Sequence, residues 1–139
     1  MSFSRNDIQR LSTILSEAAK AEILPRFNRL RAGAVRTKSS AIDLVTDADE
    51  AAERVISTEL LRAFPGAVVI GEEATAAEPT LLDALDSAEL AFVVDPIDGT
   101  RNFAAGMPLF GVMAAATIRG VIVAGVIHDP LGRNTAMGL

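Results

Sequence analysis

The strongest constraint on the fold is a pair of neighbouring apolar runs in the last third of the chain. Residues 109–118 and 121–127 are almost entirely apolar and are separated only by Arg119-Gly120. Each run is too short to cross a membrane as a helix, which needs about 20 apolar residues. Two short apolar runs joined by a two-residue turn are typical of a β-hairpin. We therefore predict a hairpin of two buried strands in this region.

Two helices are predicted before this hairpin. The first is expected over residues 7–24, where apolar side chains recur at helical spacing and Pro25 follows. The second is expected to begin at Thr46-Asp47, which are N-cap residue types, and to stop before Pro65-Gly66. The expected apolar faces are Ile8, Leu11, Leu15 and Ala18 in the first helix and Ala52, Val55, Ile56, Leu60 and Ala63 in the second.

Two further apolar runs lie between the second helix and the hairpin. Residues 67–70 and 90–94 predict short buried strands. Between them, 74–87 is expected to be a polar loop with a short helix at 81–86. The order helix, helix, strand, strand, hairpin predicts an α+β fold with helices packed against a sheet.

The composition argues against several functional classes. The 139 residues carry 18 acidic and 13 basic side chains, a formal net charge of −5, and no basic block, so we expect no nucleic-acid or membrane partner. The absence of cysteine excludes disulfides, thiolate nucleophiles and cysteine metal sites. The first ten residues lack the apolar core of a signal peptide, and we expect a soluble, cytoplasmic protein.

Both predicted strands before the hairpin are followed by acidic residues. Gly71 leads into Glu72 and Glu73 after the first strand, and Asp95 and Asp98 follow the second. If the strands are neighbours, these carboxylates meet at one edge of the sheet, where like charges resist ionisation. A hard divalent cation removes that cost, and Mg²⁺ prefers oxygen ligands. The sequence therefore predicts a Mg²⁺ site at this edge.

The segment from Asp95 to Thr100 adds geometry to this prediction. Pro96 has no N–H and is expected to force the strand out of its ladder. The resulting turn can place the aspartates and the Ile97 carbonyl around one point, and Thr100 would open a helical turn whose N–H groups bind phosphate. On spacing alone, an ordinary acidic loop explains the segment equally well.

Three motifs, in order, resemble the signatures of the inositol monophosphatase family. They are the segment 38–49, Gly71-Glu72-Glu73, and Asp95-Pro96-Ile97-Asp98-Gly99-Thr100 with Asn102-Phe103 after it. The related superfamily includes fructose-1,6-bisphosphatases and nucleotide-bisphosphate phosphatases. The resemblance implies a layered αβαβα sandwich of the sugar-phosphatase type, of which this chain would cover the N-terminal helices and sheet.

The resemblance also implies a set of Mg²⁺ ligands. Glu72, Asp95 and the Ile97 carbonyl would bind one ion, and Asp95 and Asp98 would bind a second. Glu72 would additionally act in catalysis by helping to hold a third, weaker ion through waters. Two metals in such a site activate water on one side and neutralise the leaving oxygen on the other.

The groups that act on water and phosphate are implied in the same way. Thr100 and Asp49 would form a hydrogen-bonded pair that polarises the attacking water, and the Gly99 and Thr100 N–H groups would bind the phosphate. Lys38 would contact the substrate from a lid-like segment that includes residues 39–40. Without the resemblance, Asp49 reads as an ordinary acid in a first helical turn, and Lys38 as a solvated loop lysine.

The remaining polar and aromatic candidates are expected to be structural. Asp43 and Asp47 are expected to cap or bond locally. His128, the single histidine, is expected to have a structural role at a strand end. The residues expected in the core rather than in a binding site are Phe103, Met107 and Phe110.

These observations predict a Mg²⁺-dependent phosphomonoesterase that hydrolyses a phosphate monoester, inositol monophosphate first, by metal-activated water. Alternatives are fructose-1,6-bisphosphatase activity, nucleotide 3′,5′-bisphosphate phosphatase activity, or a truncated, non-catalytic interaction module. The expected partners are a small phosphorylated polyol or sugar and a second copy in a homodimer, and the family suggests lithium sensitivity.

Family members are longer than this chain and carry a Trp-Asp motif in their C-terminal half, whereas the chain contains no tryptophan. Residues 1–139 are therefore expected to be the N-terminal metal-binding part of such a domain, with the C-terminal half absent. We expect the isolated chain to bind Mg²⁺ weakly and to hydrolyse phosphate esters poorly or not at all. The physiological substrate, the oligomeric state, lithium sensitivity and the choice between fragment and shortened relative stay open.

Overall fold

The computed structural model describes residues 1–30, 32–38 and 44–139, and it contains an α+β fold with helices packed on a mixed sheet. The sequence predicts no strand at Val35–Thr37 or at Leu44–Thr46, where the structure has two short ones. The helices are α1 (Arg5–Ala18), α2 (Asp47–Ala63), α3 (Glu72–Ala77) and α4 (Thr100–Ala104). The strands are β1 (Val35–Thr37), β2 (Leu44–Thr46), β3 (Val68–Gly71), β4 (Ala91–Asp98), β5 (Gly111–Ile118), β6 (Val121–Asp129) and β7 (Asn134–Gly138).

The main sheet has the strand order β3-β4-β5-β6-β7. Strands β3 and β4 run parallel, with Gly71 opposite Val94, and the other neighbours are antiparallel. The predicted adjacency of the two strands that lead into acidic residues is therefore confirmed. Strands β1 and β2 form a separate antiparallel pair.

The predicted hairpin is confirmed as β5 and β6. Arg119 and Gly120 form its turn with φ of 47° and 79°. Positive φ at both turn residues matches the right-handed twist of the flanking strands. The strand β7 was not predicted, because its five residues are exposed and lack an apolar run.

The first helix begins two residues earlier than predicted and changes its winding before it ends. Ser4 is its N-cap and forms a capping box with Asp7, which moves the start to Arg5. After Ala18 the chain continues as a π-helical turn (Ala19–Ile23) and a 3₁₀ turn (Leu24–Arg26). Pro25 lies inside the 3₁₀ turn, where its fixed φ is tolerated.

Two elements between the second helix and the hairpin have other bounds than predicted. The expected loop over 74–87 contains the end of α3 and a 3₁₀ helix (Pro79–Ala84), which replaces the short helix expected at 81–86. The strand predicted over residues 90–94 does not end at Val94, since β4 continues to Asp98. Pro96 and Ile97 have no partner in the register with β5, which shifts between Asp95 and Asp98, so the predicted departure from the ladder at Pro96 is confirmed. The predicted bounds of α2 are confirmed.

The core lies between α1, α2 and one face of the sheet. The Phe64 and Phe92 rings pack at a tilt of 49° with their centroids 5.0 Å apart, and Phe103 meets Phe110 edge-on at 5.1 Å. Met107 is 52% exposed, so its predicted core position is wrong. The sheet and helix residues that share this core include Leu11, Leu15, Ile23, Ile56, Leu60, Phe92, Val94, Val112, Ala114, Ala116 and Val126.

The opposite face of the sheet lines a broad groove of about 740 Å³. Its floor is apolar, and Glu72 and Asp95 lie among its lining residues. The floor includes Val93 beside Ala115 in one row across the sheet, and Met113, Ile127 and Ala136 side by side in the neighbouring row. In the described part of the chain, no helix is both long and apolar enough to span a membrane.

Candidate metal and phosphate site

Two carboxyl groups come into contact where the parallel pairing of β3 with β4 ends. Gly71, the last residue of β3, pairs with Val94, so Glu72 at the start of α3 lies next to Asp95 within β4. The Asp95 carboxyl lies within hydrogen-bonding reach of the Glu72 carboxyl. Asp95 Oδ1 is buried and has no hydrogen-bond partner. A buried oxygen of this kind is costly unless a proton or a cation satisfies it.

Burial and the closeness of other carboxyl groups raise the pKa values of two acids in this cluster. Burial, followed by the Glu72 carboxyl and the charges of Asp98 and Asp49, raises the pKa of Asp95 to about 8. Burial also raises the pKa of Glu73 to about 7, although the nearby Lys38 ammonium opposes that shift. The site therefore holds more carboxyl groups than it can keep ionised without a positive charge.

Lys38 supplies one positive charge to this cluster. Its Nζ lies 3.0 Å from Glu72 Oε1 and 3.5 Å from Glu73 Oε2, and its side chain is 15% exposed. The reading of Lys38 as a solvated loop lysine is therefore wrong. Residues 39–40 of the predicted lid-like segment, and Asp43, lie outside the described residues.

Asp49 uses its two carboxylate oxygens for two different tasks. Oδ2 accepts from the Thr46 backbone N–H at 2.8 Å and from the Thr46 hydroxyl, which completes a capping box at the start of α2. Oδ1 accepts from Thr100 Oγ1 at 2.8 Å. Burial raises the pKa of Asp49, and the hydrogen bonds from Thr46 and Thr100 oppose this. The ordinary capping role and the implied pairing with Thr100 thus coexist in one side chain.

Thr100 lies between two acceptors. Its hydroxyl oxygen is 2.8 Å from Asp49 Oδ1 and 3.0 Å from the Ile97 carbonyl oxygen. A hydroxyl has one proton to donate, and the charged carboxylate is the stronger acceptor. The Ile97 carbonyl therefore keeps lone-pair capacity for another partner.

The turn after β4 depends on Gly99. Its φ is +89°, in the left-handed region, and a Cβ there would lie 3.0 Å from the Leu109 carbonyl oxygen. Gly99 caps α4, so the predicted helical turn at Thr100 is confirmed. The first N–H groups of a helix have no intrahelical acceptor. Asp98 is exposed at the same turn.

Glu53 belongs to this region and was not predicted. It is 8% exposed and accepts from the Glu73 and Ala74 backbone N–H groups at 2.8 and 2.9 Å. Burial raises its pKa, and these two hydrogen bonds oppose the shift. A signal was available in the sequence, since Glu53 falls within the apolar stripe of α2, four residues after Asp49.

His128 lies away from this cluster. It is buried on β6, and its Nδ1 is 2.9 Å from Thr135 Oγ1 on β7. The contact joins two neighbouring strands, which fits the predicted structural role.

The carboxylate oxygens in this region are suitable ligands for a hard cation, although too few of the described side chains converge to form a complete metal site. Over residues 1–30, 32–38 and 44–139, no three or more His, Cys, Asp or Glu side chains form a ready metal-binding group. The oxygens that converge are two carboxyl groups in contact, Glu72 and Asp95, and one of them has an unsatisfied buried oxygen. Oxygen donors of this type fit Mg²⁺ or a similar hard ion.

Comparison with known proteins gives a consistent family assignment. The sequence profile described as "Inositol monophosphatase family" matches residues 7–138. An inositol-1-monophosphatase from Mycobacterium bovis is 41% identical over 102 residues, which are 73% of this chain and 34% of that protein. A Pasteurella multocida protein named Nus factor SuhB is 37% identical over 95 residues, which are 68% of this chain and 33% of that protein.

Solved structures agree with the sequence comparison. The extragenic suppressor protein SuhB from Bartonella henselae superposes with a TM-score of 0.77 at 28% identity, covering 94% of this chain and 47% of that one. The Thermotoga maritima IMPase gives 0.75 at 27% identity, covering 96% and 47%. The matches thus span about a third of the curated relatives and about half of the solved chains.

Proposed function

Because the chain belongs to the inositol monophosphatase family, we propose that it is the metal-binding part of a Mg²⁺-dependent phosphomonoesterase. The relatives named inositol monophosphatases support a phosphorylated polyol, inositol monophosphate first, as the substrate. The observation that carries the proposal is the contact between the Glu72 and Asp95 carboxyls at the ends of two parallel strands, with one Asp95 oxygen buried and unpaired.

The proposed ligands are oxygens that this region already gathers. Glu72, Asp95 and the Ile97 carbonyl would hold one Mg²⁺, and Asp95 and Asp98 a second. The raised pKa of Asp95, about 8, supports this, because a cation would replace the proton that the crowded carboxyl group otherwise retains. Bound there, Mg²⁺ would supply a more acidic water and neutralise charge on phosphate oxygens. Lys38 would have to release Glu72 when the ion binds.

Thr100 and Asp49 are proposed to orient the attacking water. Asp49 Oδ1 accepts the Thr100 hydroxyl proton, which leaves the Thr100 oxygen free to accept a hydrogen bond from a water molecule. The capping bonds from Thr46 hold Asp49 in place for this task. A water held in this way presents a lone pair toward a phosphorus atom, which is the geometry that hydrolysis needs.

The phosphate itself is proposed to lie against the turn that begins α4. The N–H groups of Gly99 and Thr100 are at a helix start, where backbone donors and the helix dipole favour an anion. Lys38, beside Glu72 and Glu73, would offset part of the negative charge of the bound phosphate.

We propose further that residues 1–139 are the N-terminal metal-binding part of a longer domain. The coverage of about half of each solved relative supports this. The isolated chain is then expected to have weak affinity for Mg²⁺ and slow turnover, because Lys38 competes with the ion and few carboxylates converge. A homodimer is also proposed, with sedimentation velocity as its test.

The function is tested by phosphate release from three substrates by the full chain at high concentration. Inositol 1-phosphate, fructose 1,6-bisphosphate and adenosine 3′,5′-bisphosphate discriminate the three activities, and lithium is added as an inhibitor in a parallel series. Slow, Mg²⁺-dependent release that is fastest with inositol 1-phosphate is the expected result.

A matched pair of variants assigns this activity to the site. Glu72→Gln is expected to abolish release, whereas Glu78→Gln, an equal change of charge at an exposed position six residues away, is expected to leave it unchanged. Equal rates in the wild type and Glu72→Gln would contradict the site. If all three substrates remain intact with the wild type, Mg²⁺ binding decides between the alternatives: binding would favour the metal-binding part of an incomplete enzyme, and absence of binding a non-catalytic interaction module.

A further inference from the structure

Glu53 is a buried carboxylate to which the mechanism above gives no task. It lies on α2, one turn after Asp49, and both of its oxygens are engaged by the same short segment. Oε1 accepts from the Glu73 N–H at 2.8 Å, and Oε2 accepts from the Ala74 N–H at 2.9 Å. Glu53 therefore holds the first turn of α3, which also carries Glu72.

The start of α3 has no other cap of this kind. Gly71 is its N-cap residue and provides no side chain for the purpose, and α3 has only six residues. A helix this short is not stable on its own propensity. Hydrogen bonds from backbone N–H groups to a carboxylate are charge-assisted and stronger than neutral ones. Glu53 thus supplies from α2 the cap that α3 lacks locally.

Gly71 leaves the space that Glu53 occupies. The backbone of Gly71, with φ of −87° and ψ of 152°, is accessible to any residue. A Cβ at this position would nevertheless lie 2.3 Å from Glu53 Cδ and 2.5 and 2.6 Å from its two oxygens. The requirement for glycine therefore comes from the approach of Glu53 and not from the backbone conformation.

We propose that Glu53 is a positioning residue that fixes Glu72 beside Asp95 by binding the backbone of the next two residues. The inference rests on the proposed function, since Glu72 is a metal ligand only there. Asp49 and Glu53 are four residues apart and lie on one face of α2. Helix α2 thereby aligns both parts of the site, with Asp49 holding Thr100 and Glu53 holding the segment that contains Glu72.

The test is a calorimetric Mg²⁺ titration of the full chain in four forms: wild type, Glu53→Gln, Gly71→Ala and Glu59→Gln. Glu53→Gln removes the charge and one acceptor, whereas Gly71→Ala keeps the charge but pushes the carboxylate away from the Glu73 and Ala74 amides. Both are expected to weaken Mg²⁺ binding about 10- to 100-fold, the usual effect of losing a group that orients a ligand. Glu59→Gln, on the same helix but paired at the surface with Arg62, is expected to match the wild type.

Amide hydrogen exchange in the metal-free chain supplies a second readout. Exchange at Glu73 and Ala74 is expected to accelerate in Glu53→Gln and in Gly71→Ala, while core amides of β4 and β5 stay protected, which separates the effect from unfolding. Loss of affinity in Glu53→Gln alone would mean that only its charge matters and would overturn the positioning role. Equal affinity in all four forms would overturn it as well. A wild-type chain without Mg²⁺ binding would instead overturn the proposed function, and the positioning role with it.

Discussion

Helices α1 and α2 begin with the same local motif in different surroundings. In α1, Ser4 Oγ donates to Asp7 Oδ2 at 2.6 Å and accepts from the Asp7 N–H at 3.2 Å. In α2, Thr46 and Asp49 make the same reciprocal pair. The first box is on the surface, whereas Thr46 and Asp49 are completely buried. The two helix starts therefore share a local structure and differ in tertiary environment.

The different surroundings shift the pKa of the capping aspartate in opposite directions in the two helices. The hydrogen bonds from Ser4 lower the pKa of Asp7, whereas burial raises the pKa of Asp49. Asp49 also has a second partner, Thr100, 51 residues away in sequence. A capping box thus explains why each helix begins where it does, and only the packing around α2 gives its acid a further chemical task.

The largest expected difference between the two caps is in catalysis. Asp49→Asn is expected to slow phosphate release about 100-fold, because the amide no longer accepts the Thr100 proton as a carboxylate does. Asp7→Asn is expected to leave the rate unchanged. Single-turnover phosphate release with the chain in excess over inositol 1-phosphate measures both. Equal slowing by the two substitutions would mean that Asp49 acts only through helix stability.

The coupling of Asp49 to Thr100 is the next test. Thr100→Val is expected to slow the same reaction about 10- to 100-fold while Mg²⁺ affinity is kept. Residues that act as one unit are not additive, so Asp49→Asn combined with Thr100→Val is expected to be no slower than the worse single variant. Multiplied effects in the double variant would show that the two side chains act independently.

Removing either N-cap side chain is expected to lower the free energy of unfolding, with a smaller difference between the two helices than in catalysis. Ser4→Ala is expected to cost about 1 kcal/mol, the typical value for an exposed N-cap. Thr46→Ala is expected to cost about 2 kcal/mol or more, because it also leaves the buried Asp49 short of a donor. Urea unfolding at neutral pH without divalent ions measures the difference. A larger cost for Ser4→Ala would contradict the contrast drawn between the two sites.

The smallest expected effect concerns how folding stability depends on pH, where the contributions of Asp7 and Asp49 are expected to change in opposite directions. A lowered pKa means that Asp7 stabilises the fold above its ordinary pKa of 3.8 and that this contribution is lost as the pH falls through the lowered value. The raised pKa of Asp49 has the opposite sign, since the folded state binds the proton more tightly than the unfolded state. The stability that Asp49 provides therefore decreases as the pH rises above 3.8.

Urea unfolding between pH 3 and pH 7, without divalent ions, reveals this sign. The free energy of unfolding of the wild type relative to Asp7→Asn is expected to rise with pH, and that relative to Asp49→Asn is expected to fall. Parallel curves for the two variants would show that burial does not govern the ionisation of Asp49.

The parts of the fold that the sequence predicts are those with local causes. Helix α2 carries its own cap and apolar stripe, and the hairpin of β5 and β6 carries its own turn, so both are found within one or two residues. The strand β7 depends on pairing with β6 and has no pattern of its own. Helix α3 depends on Glu53, some 20 residues earlier, and so was expected to be a loop.

The candidate site shows the same division. Acidic residues after two apolar runs predict that Glu72 and Asp95 meet, because parallel neighbouring strands end at one edge. The ion pair of Lys38 with Glu72 and the double hydrogen bond of Glu53 follow from packing between distant segments. Such contacts become visible only when the helices are placed on the sheet.

The central claim is that the Glu72 and Asp95 carboxyl groups together bind Mg²⁺. Calorimetric titration of the full chain with MgCl₂ tests this claim most directly. The account predicts measurable binding by the wild type, a loss of about 100-fold or more in Asp95→Asn, and no change in Asp83→Asn, an exposed aspartate on the 3₁₀ helix after α3. Absence of binding by the wild type, or equal affinity in Asp95→Asn, would contradict it.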